Sequence, residues 1–221
     1  SWNPIVNTGT SQAYNNITQT TIYRAVIKNG SCPEVYSAGG KVGIHNLWWG
    51  KYSTDWNYPL NWSDDAVASA SPCPTIVIPV VVPGHFYPAV NSGFISATNI
   101  DLKPGASLLL TNDAILKVTG SLIGNGFNLL DGVLELNGTT PQTLQGNSFV
   151  GNTIKKITVS NNVTIDGSVG SMVNVTHELE FGSVTNKTIT TNDNLTLKSS
   201  AASTASLGKI KNNNTVSGNS I

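Results

Sequence analysis

Glu178 and Glu180 are the carboxylate pair whose spacing could support chemistry. They flank Leu179, so a strand would place both side chains on one face. Hydrolysis of a glycosidic bond uses two carboxylates at a fixed separation across a groove, and eliminative cleavage needs a base beside a charge-neutralising cation. No arginine follows Arg24, so no arginine is available near the pair as that cation. The spacing of the two glutamates is also that of ordinary outward residues on a strand. We therefore expect no enzymatic activity, with the ancillary part of a polysaccharide-degrading enzyme as the alternative.

The histidines and acidic turns do not group as metal sites usually do. His45, His85 and His177 lie far apart in the chain, with no pair at the spacing of two metal ligands on one element. Asp64-Asp65 and Asn192-Asp193-Asn194 carry oxygens that could bind calcium, but calcium takes six or more oxygens and solvated turns explain both phrases equally well. We expect no metal and no cofactor.

Cys32 and Cys73 are the two cysteines of the chain. A bond between them would close a loop of about 40 residues and contribute roughly 4 kcal/mol in the chain-entropy model. Each is followed by a proline, and the surroundings are rich in tryptophan, which suits a covalent link in a secreted protein. Two thiols without a nearby histidine fall short of a zinc site. The residues make Cys32 and Cys73 a candidate disulfide.

Trp48, Trp49, Trp56 and Trp62 form a second candidate site. All five tryptophans and all six tyrosines occur before residue 88, whereas the last 117 residues hold a single proline, Pro141. The four indoles could stack on sugar rings, or they could fill the open end of a repetitive β fold. We expect the second use, as the cap of the elements that follow.

Those elements are short apolar runs separated by Gly or Asn. Leu134-Glu135-Leu136 and Ile157-Thr158-Val159 are examples, and their period of two is typical of strands with one buried face. Strands of three or four residues with corners of varied length favour a parallel solenoid over a sandwich of hairpins. Aliphatic ladders would then fill the inside, and Asn, Thr and Ser would hydrogen-bond along the outside. Thr188-Ile189-Thr190 is a single Thr-x-Thr phrase, which by itself does not make a row.

The fold predicted for the chain is therefore all-β. A right-handed parallel β-helix spans residues 96–221 and is expected to continue beyond the chain end. A Trp/Pro-rich junction or cap spans residues 47–95 and precedes it. Coils of this kind bury little surface alone and much against their neighbours, so the end coil needs such a cap.

Charge and hydropathy exclude two classes of partner. Twelve Lys plus Arg balance twelve Asp plus Glu, and charged residues make up 11% of the chain. A nucleic-acid binder needs a basic patch that displaces counterions, so no nucleic-acid partner is expected. No run of eighteen apolar residues occurs, so no membrane-spanning helix is expected.

Three phrases resemble parts of one family. The stretch Thr18-Gln19-Thr20-Thr21-Ile22-Tyr23-Arg24-Ala25-Val26, with Asn29-Gly30-Ser31-Cys32 after it, resembles the second half of the immunoglobulin-like repeats in giant surface adhesins of gliding, type IX-secreting bacteria. Trp48-Trp49-Gly50 and Val77-Ile78-Pro79 resemble the segment that leads into a β-helical region in similar proteins. Pro141-Gln142-Thr143-Leu144 resembles their β-helix coils.

This resemblance implies a location, a function and partners. Residues 1–46 would be the C-terminal part of an immunoglobulin-like β-sandwich module. The chain would be a non-catalytic segment of a secreted cell-surface adhesin or filament that contacts surfaces, polysaccharide or sister chains, or a purely structural filament subunit. The outer-membrane secretion or gliding machinery would be reached through the parent chain. Because such repeats usually carry an earlier cysteine, Cys32 could pair with that residue instead of Cys73.

Overall fold

The computed structural model describes residues 3, 5, 21–42, 46–68, 75–200, 203–204, 206–207 and 214–218. The chain divides into two compact units, residues 1–44 and residues 45–221. The helices among these residues are three short 3-10 turns, Pro59–Asn61, Ser63–Asp65 and Gly146–Ser148. No helix in this described part is long and apolar enough to cross a membrane.

The described part of the first unit consists of two short antiparallel strand pairs. Strand β1 (Thr21–Tyr23) pairs with β4 (Gly40–Val42), and β2 (Val26–Ile27) pairs with β3 (Val35–Tyr36). The Arg24 guanidinium lies 4.2 Å from the centroid of the Tyr36 ring. Antiparallel pairing agrees with a β module, and the immunoglobulin-like assignment of residues 1–46 stays a prediction.

The second unit is a parallel β-solenoid of about six turns. The predicted all-β fold and parallel β-helix are therefore confirmed. Its strands are β5 (Thr75–Ile78), β6 (Ala89–Val90), β7 (Phe94–Ala97), β8 (Asn99–Leu102), β9 (Leu108–Leu110), β10 (Ile115–Val118), β11 (Leu122–Ile123), β12 (Phe127–Leu136), β13 (Gln142–Leu144), β14 (Phe149–Val159), β15 (Val163–Ile165), β16 (Val173–Phe181), β17 (Thr188–Thr190), β18 (Leu195–Leu197), β19 (Ser199–Ser200), β20 (Ser203–Thr204), β21 (Ser206–Leu207) and β22 (Thr215–Ser217).

Apart from β19 and β20, which form an antiparallel pair, the strands stack in parallel on three faces. The first face runs β6-β9-β12-β14-β16-β18, and the second runs β7-β10-β12-β14-β16-β21. Strands β12, β14 and β16 serve both faces, because register shifts divide each of them into two halves. The third face comprises β5-β8-β11 and then β13-β15-β17-β22. A residue on one strand thus meets its register partner one coil later, as in other solenoids.

Aliphatic ladders fill the inside of the second face. The register joins residues of the same character in five successive coils: Ile95, Leu116, Leu134, Ile157 and Leu179. All five side chains are buried. Burial of each such side chain contributes roughly 1.5–3 kcal/mol, so these ladders are a main source of the stability of the unit.

Asparagine side chains tie neighbouring coils together at the corners. The Asn192 amide donates to the carbonyl of Ile165 at 2.8 Å, and the Asn152 amide donates to the carbonyl of Gly170 at 2.8 Å. Both asparagines have a positive φ, a conformation that asparagine tolerates better than most residues. The polar composition therefore has a structural cause, because corner amides satisfy backbone carbonyls of the adjacent coil.

The tryptophan-rich segment lies on the first strands of the stack. Leu47 forms a parallel bridge with Val77 of β5, and Asp55 forms a parallel bridge with Ala89 of β6. Residues 47–55 thus extend the third and first faces by one coil before their first regular strands. This is the place that a cap of the solenoid would occupy.

Candidate functional site

Three of the four candidate tryptophans are buried inside the tryptophan-rich segment. Trp48, Trp56 and Trp62 belong to the same core cluster as the solenoid ladders. Trp62 meets Trp48 and Trp56 edge to face, with ring centroids 4.9 and 4.7 Å apart. The indole N–H of Trp62 donates to the carbonyl of Trp56 at 2.7 Å, and that of Trp48 donates to the carbonyl of Phe86 at 2.8 Å. These three indoles fill the end of the solenoid and are not accessible to a sugar.

The fourth candidate, Trp49, is exposed together with three other aromatic residues of the cap. The exposed fractions are 46% for Trp49, 51% for Tyr52, 38% for Tyr58 and 45% for Phe86. We call these four residues the cap aromatic group. The rings of Tyr52 and Tyr58 meet edge to face with centroids 5.9 Å apart. Trp49 thus differs from the other three candidate tryptophans, Trp48, Trp56 and Trp62, which are buried.

Asn61 fixes the backbone that carries this group. Its side chain is buried, and its Oδ1 accepts hydrogen bonds from the backbone N–H groups of Tyr52 (2.9 Å) and Ser53 (3.1 Å). Its Nδ2 donates to the carbonyl of Asp55 at 2.9 Å. Its backbone carbonyl accepts from the N–H of Trp49 at 2.7 Å. One buried amide residue therefore positions the chain from Trp49 to Asp55.

Gly50 allows the two backbones under the group to approach closely. It has a φ of +61°, and a Cβ at this position would lie 1.9 Å from the carbonyl oxygen of Phe86. The N–H of Phe86 donates to the carbonyl of Gly50 at 2.8 Å. A glycine is needed here for both its conformation and its lack of a side chain, and it brings Trp49 and Phe86 onto neighbouring segments.

An open cleft of about 360 Å³ lies beside the cap. Its most exposed ring is Phe94, which is 63% exposed and whose centroid lies 4.9 Å from Lys117 Nζ. The cleft is lined by Trp56, Asn57, Val67, Ala68, Phe94, Ile95 and Ser96. It is separate from the cap aromatic group, since none of the four residues of that group lines it.

Glu178 and Glu180 lie side by side on the outside of β16, and one lysine forms ion pairs with both. Lys156 Nζ lies 2.8 Å from a carboxylate oxygen of each. Burial lowers the pKa of Lys156, but the hydrogen bonds that it donates to Glu178 and Glu180, together with their negative charges, outweigh that effect, so the pKa is raised. The arrangement is a cross-coil ion pair on the second face, where Lys117 and Glu135 form another at 3.2 Å.

Lys156→Met is expected to destabilise the solenoid by about 1 kcal/mol, because two adjacent carboxylates would lose their shared cation. The deficit should shrink in the triple variant that also carries Glu178→Gln and Glu180→Gln. The measurement is the urea midpoint. Lys117→Met is the matched control, since Lys117 serves one carboxylate. Equal losses in both lysine variants, unchanged by the glutamines, would contradict this account.

A second lysine joins three coils at a corner. Lys155 Nζ lies 2.7 Å from a carboxylate oxygen of Asp113 and 2.7 Å from one of Asp131. The hydrogen bonds that Lys155 donates to Asp113 and Asp131 raise its pKa. The hydrogen bond from Lys155 and that from the backbone of Asn112 lower the pKa of Asp131. This triad was not predicted from the sequence, because its three residues come from three different coils.

A row of hydroxyls runs along the outside of the third face. The register aligns Thr143, Thr164, Thr190 and Ser217 on four successive strands, β13, β15, β17 and β22. Thr188 adds a second position, with its hydroxyl 2.9 Å from that of Thr215. The sequence showed one Thr-x-Thr phrase, and the row became visible only once the register between coils was known.

The remaining candidates are dispersed. Cys32 is exposed in the first unit, and Cys73 lies outside the described residues, so their disulfide stays a prediction. His45 also lies outside the described residues, while His85 Nδ1 lies 2.9 Å from the carbonyl oxygen of Trp49, to which it can only donate a hydrogen bond. Over the described part of the chain, no group of three His, Cys, Asp or Glu residues could hold a metal ion.

The acidic turns considered for calcium have different outcomes. Asp65 adopts a positive φ at the end of a 3-10 turn, and the side chain of Asp64 lies outside the described part. In the other turn, Asn192 and Asn194 use their amide groups to donate to backbone carbonyls of the preceding coil, Ile165 and Asp166. Those two side chains are therefore engaged as corner ties.

Comparison with known proteins covers only the first unit. A family model described as a domain of unknown function, DUF8696, matches residues 1–46. No curated protein and no solved structure gives a significant match to the chain. The match covers less than half of the chain.

Proposed function

We propose that the chain is a non-catalytic, rod-like segment of a secreted bacterial cell-surface adhesin or filament. Its partners would be surface or extracellular polysaccharide, or sister chains. The observation that carries the proposal is the continuous stack of parallel strands, filled by aliphatic ladders and covered by the tryptophan-rich segment at its first coil. In a fold of this kind each added coil packs on its neighbour in the same way, so the stack can be lengthened with a similar free energy for each coil.

The mechanism is mechanical and interfacial. Each added coil contributes its own ladder residues and backbone hydrogen bonds, so the unit can hold a binding surface away from its anchorage. Several weak contacts on one rigid body act together, because each first contact raises the effective concentration of the next. Exposed side chains on the surface of the unit are the groups that offer such contacts.

The ion pairs that Glu178 and Glu180 form with Lys156 support a structural role for the two carboxylates. A carboxylate that acts as a general acid or base must exchange its proton with substrate, whereas Glu178 and Glu180 both bind Lys156. Their positions two residues apart on one strand also differ from the placement across a groove that hydrolysis uses. The pair is thus better suited to joining coils than to cutting a polysaccharide.

The test is a binding and turnover assay on the full 221-residue chain. The protein is sedimented with insoluble cellulose and chitin and run in affinity gels that contain laminarin or alginate, while released reducing ends are measured with and without calcium. We expect retention by at least one polysaccharide and no release of reducing ends. Turnover that Glu178→Gln or Glu180→Gln abolishes would overturn the proposal. So would a folded protein that binds none of the four and forms no concentration-dependent fibres in electron micrographs.

A further inference from the structure

We propose that the cap aromatic group, Trp49, Tyr52, Tyr58 and Phe86, is a binding site for a neutral polysaccharide chain. The inference rests on the proposed function, since it names the surface and the class of ligand through which such a segment would adhere. It assigns the contact to the capped end of the solenoid. The hydroxyl row on the third face is then not the main contact.

Exposed aromatic rings of the second unit are confined to the capped end. Among the described residues, the four rings of the group and Phe94 are the exposed aromatics of this unit, and all five occur between residues 49 and 94. Of the aromatic residues farther along, Phe127 and Phe149 are buried and Phe181 is half-buried. Leaving large rings in water forfeits the free energy that their burial would provide, so a clustered exposed set indicates a contact surface.

The backbone under the group is held rigidly. Asn61 bonds to Tyr52, Ser53, Asp55 and Trp49, as described above. The indole N–H of Trp48 and the N–H of Phe86 fix the other segment. Rings that are already in place lose little conformational entropy on binding, which improves the affinity of a weak site.

The chemistry of the group fits a sugar. Aromatic faces pack against the apolar C–H face of a pyranose ring, and the hydroxyls of Tyr52 and Tyr58 can donate to and accept from sugar hydroxyls. Sites for small ligands usually combine aromatic surface with a few polar groups. Tyrosine and tryptophan supply both kinds of contact at low entropic cost.

Charge and area decide between kinds of ligand. Between Trp49 and Tyr58 the only charged residues are Lys51 and Asp55, one of each sign, so this stretch carries no net charge that would attract an acidic polysaccharide. At about 150–250 Å² per aromatic side chain, the four partly exposed rings present roughly 250–500 Å². A stable protein interface takes about 800 Å² from each partner, so the group is too small for a protein and large enough for a few sugar rings.

The experiment compares variants of the full chain in affinity gels. The probes are laminarin and hydroxyethyl cellulose as neutral polysaccharides and alginate as an acidic one. Trp49→Ala and Tyr52→Ala are each expected to weaken binding to a neutral probe about tenfold, with unchanged circular dichroism. Phe94→Ala and the double variant Thr164→Val with Thr190→Val are the controls, and both should bind as the unaltered protein does.

A second readout follows Trp49 directly. Iodide quenches exposed indoles, so a saturating neutral polysaccharide should protect fluorescence in the unaltered protein and should protect much less in Trp49→Phe. Unchanged binding by Trp49→Ala and Tyr52→Ala, or loss of binding in the Phe94 or threonine variants instead, would overturn this inference while the proposed function stands. Tighter binding to alginate than to both neutral probes would overturn it as well. If the unaltered protein binds no polysaccharide at all, this inference is overturned together with the polysaccharide-binding part of the proposed function.

Discussion

Leu134→Ala is expected to lower the free energy of unfolding of the solenoid by about 2–5 kcal/mol. Leu134 is fully buried on β12, between Leu116 on the preceding coil and Ile157 on the next. Truncation removes the buried surface of one rung and leaves a cavity that its neighbours above and below cannot fill without moving. Because coils depend on their neighbours, the loss should affect the whole stack. Urea unfolding followed by circular dichroism measures it.

Leu130→Ala is the matched control for that experiment. Leu130 has the same residue type on the same strand, but its side chain is 50% exposed. Its truncation should change stability by no more than about 0.5 kcal/mol, as is usual for surface positions. Similar losses in both variants would mean that the ladder is not the main source of stability, and the proposed rod would lose its physical basis.

Gly126→Ala is expected to destabilise the solenoid by about 3 kcal/mol or more. Gly126 directly precedes β12, and its carbonyl accepts from the N–H of Leu108 at 3.1 Å. A Cβ at this position would lie 1.9 Å from the carbonyl oxygen of Ala106. Backbone atoms of the adjacent coil cannot rotate away as a side chain could, so the coils would have to separate. Thermal unfolding of the purified variant measures the effect.

Gly167→Ala separates this steric effect from the general effect of replacing a glycine. A Cβ at Gly167 would meet its nearest neighbour, Asn192 Cβ, at 3.4 Å, which is ordinary contact. That variant should be neutral or stabilised by up to about 1 kcal/mol, because alanine reduces the entropy of the unfolded chain. A Gly126→Ala protein as stable as Gly167→Ala would contradict the close packing of coils at this corner.

Local patterns sufficed to predict the class of fold. The alternation in Leu134-Glu135-Leu136 and Ile157-Thr158-Val159 places leucine, isoleucine and valine inside and charged or hydroxyl residues outside, as the structure has them. Short strands with uneven corners correctly favoured the parallel stack. The reason is that the side-chain direction in a strand has a period of two, a property that can be read without knowing any partner strand.

The candidate site was only partly predictable, because it depends on contacts between segments that are not adjacent in the sequence. Trp49 was identified, but Tyr52 and Phe86 were not, because their exposure depends on the turn that Asn61 holds and on the approach of Gly50 to Phe86. Glu178 and Glu180 were recognised as neighbours on one face. Their shared partner, Lys156, lies one coil earlier, and nothing in the local sequence points to it.

The sequence by itself therefore determined the β class, the inside and outside of each strand and the concentration of aromatics before the coils. Only the tertiary structure decided which residues of different coils meet: the ladders, the two lysine clusters, the hydroxyl row and the separation of buried from exposed indoles. Coils of unequal length carry no fixed repeat, so the register between them is set by the packing of the whole stack and by the corner amides.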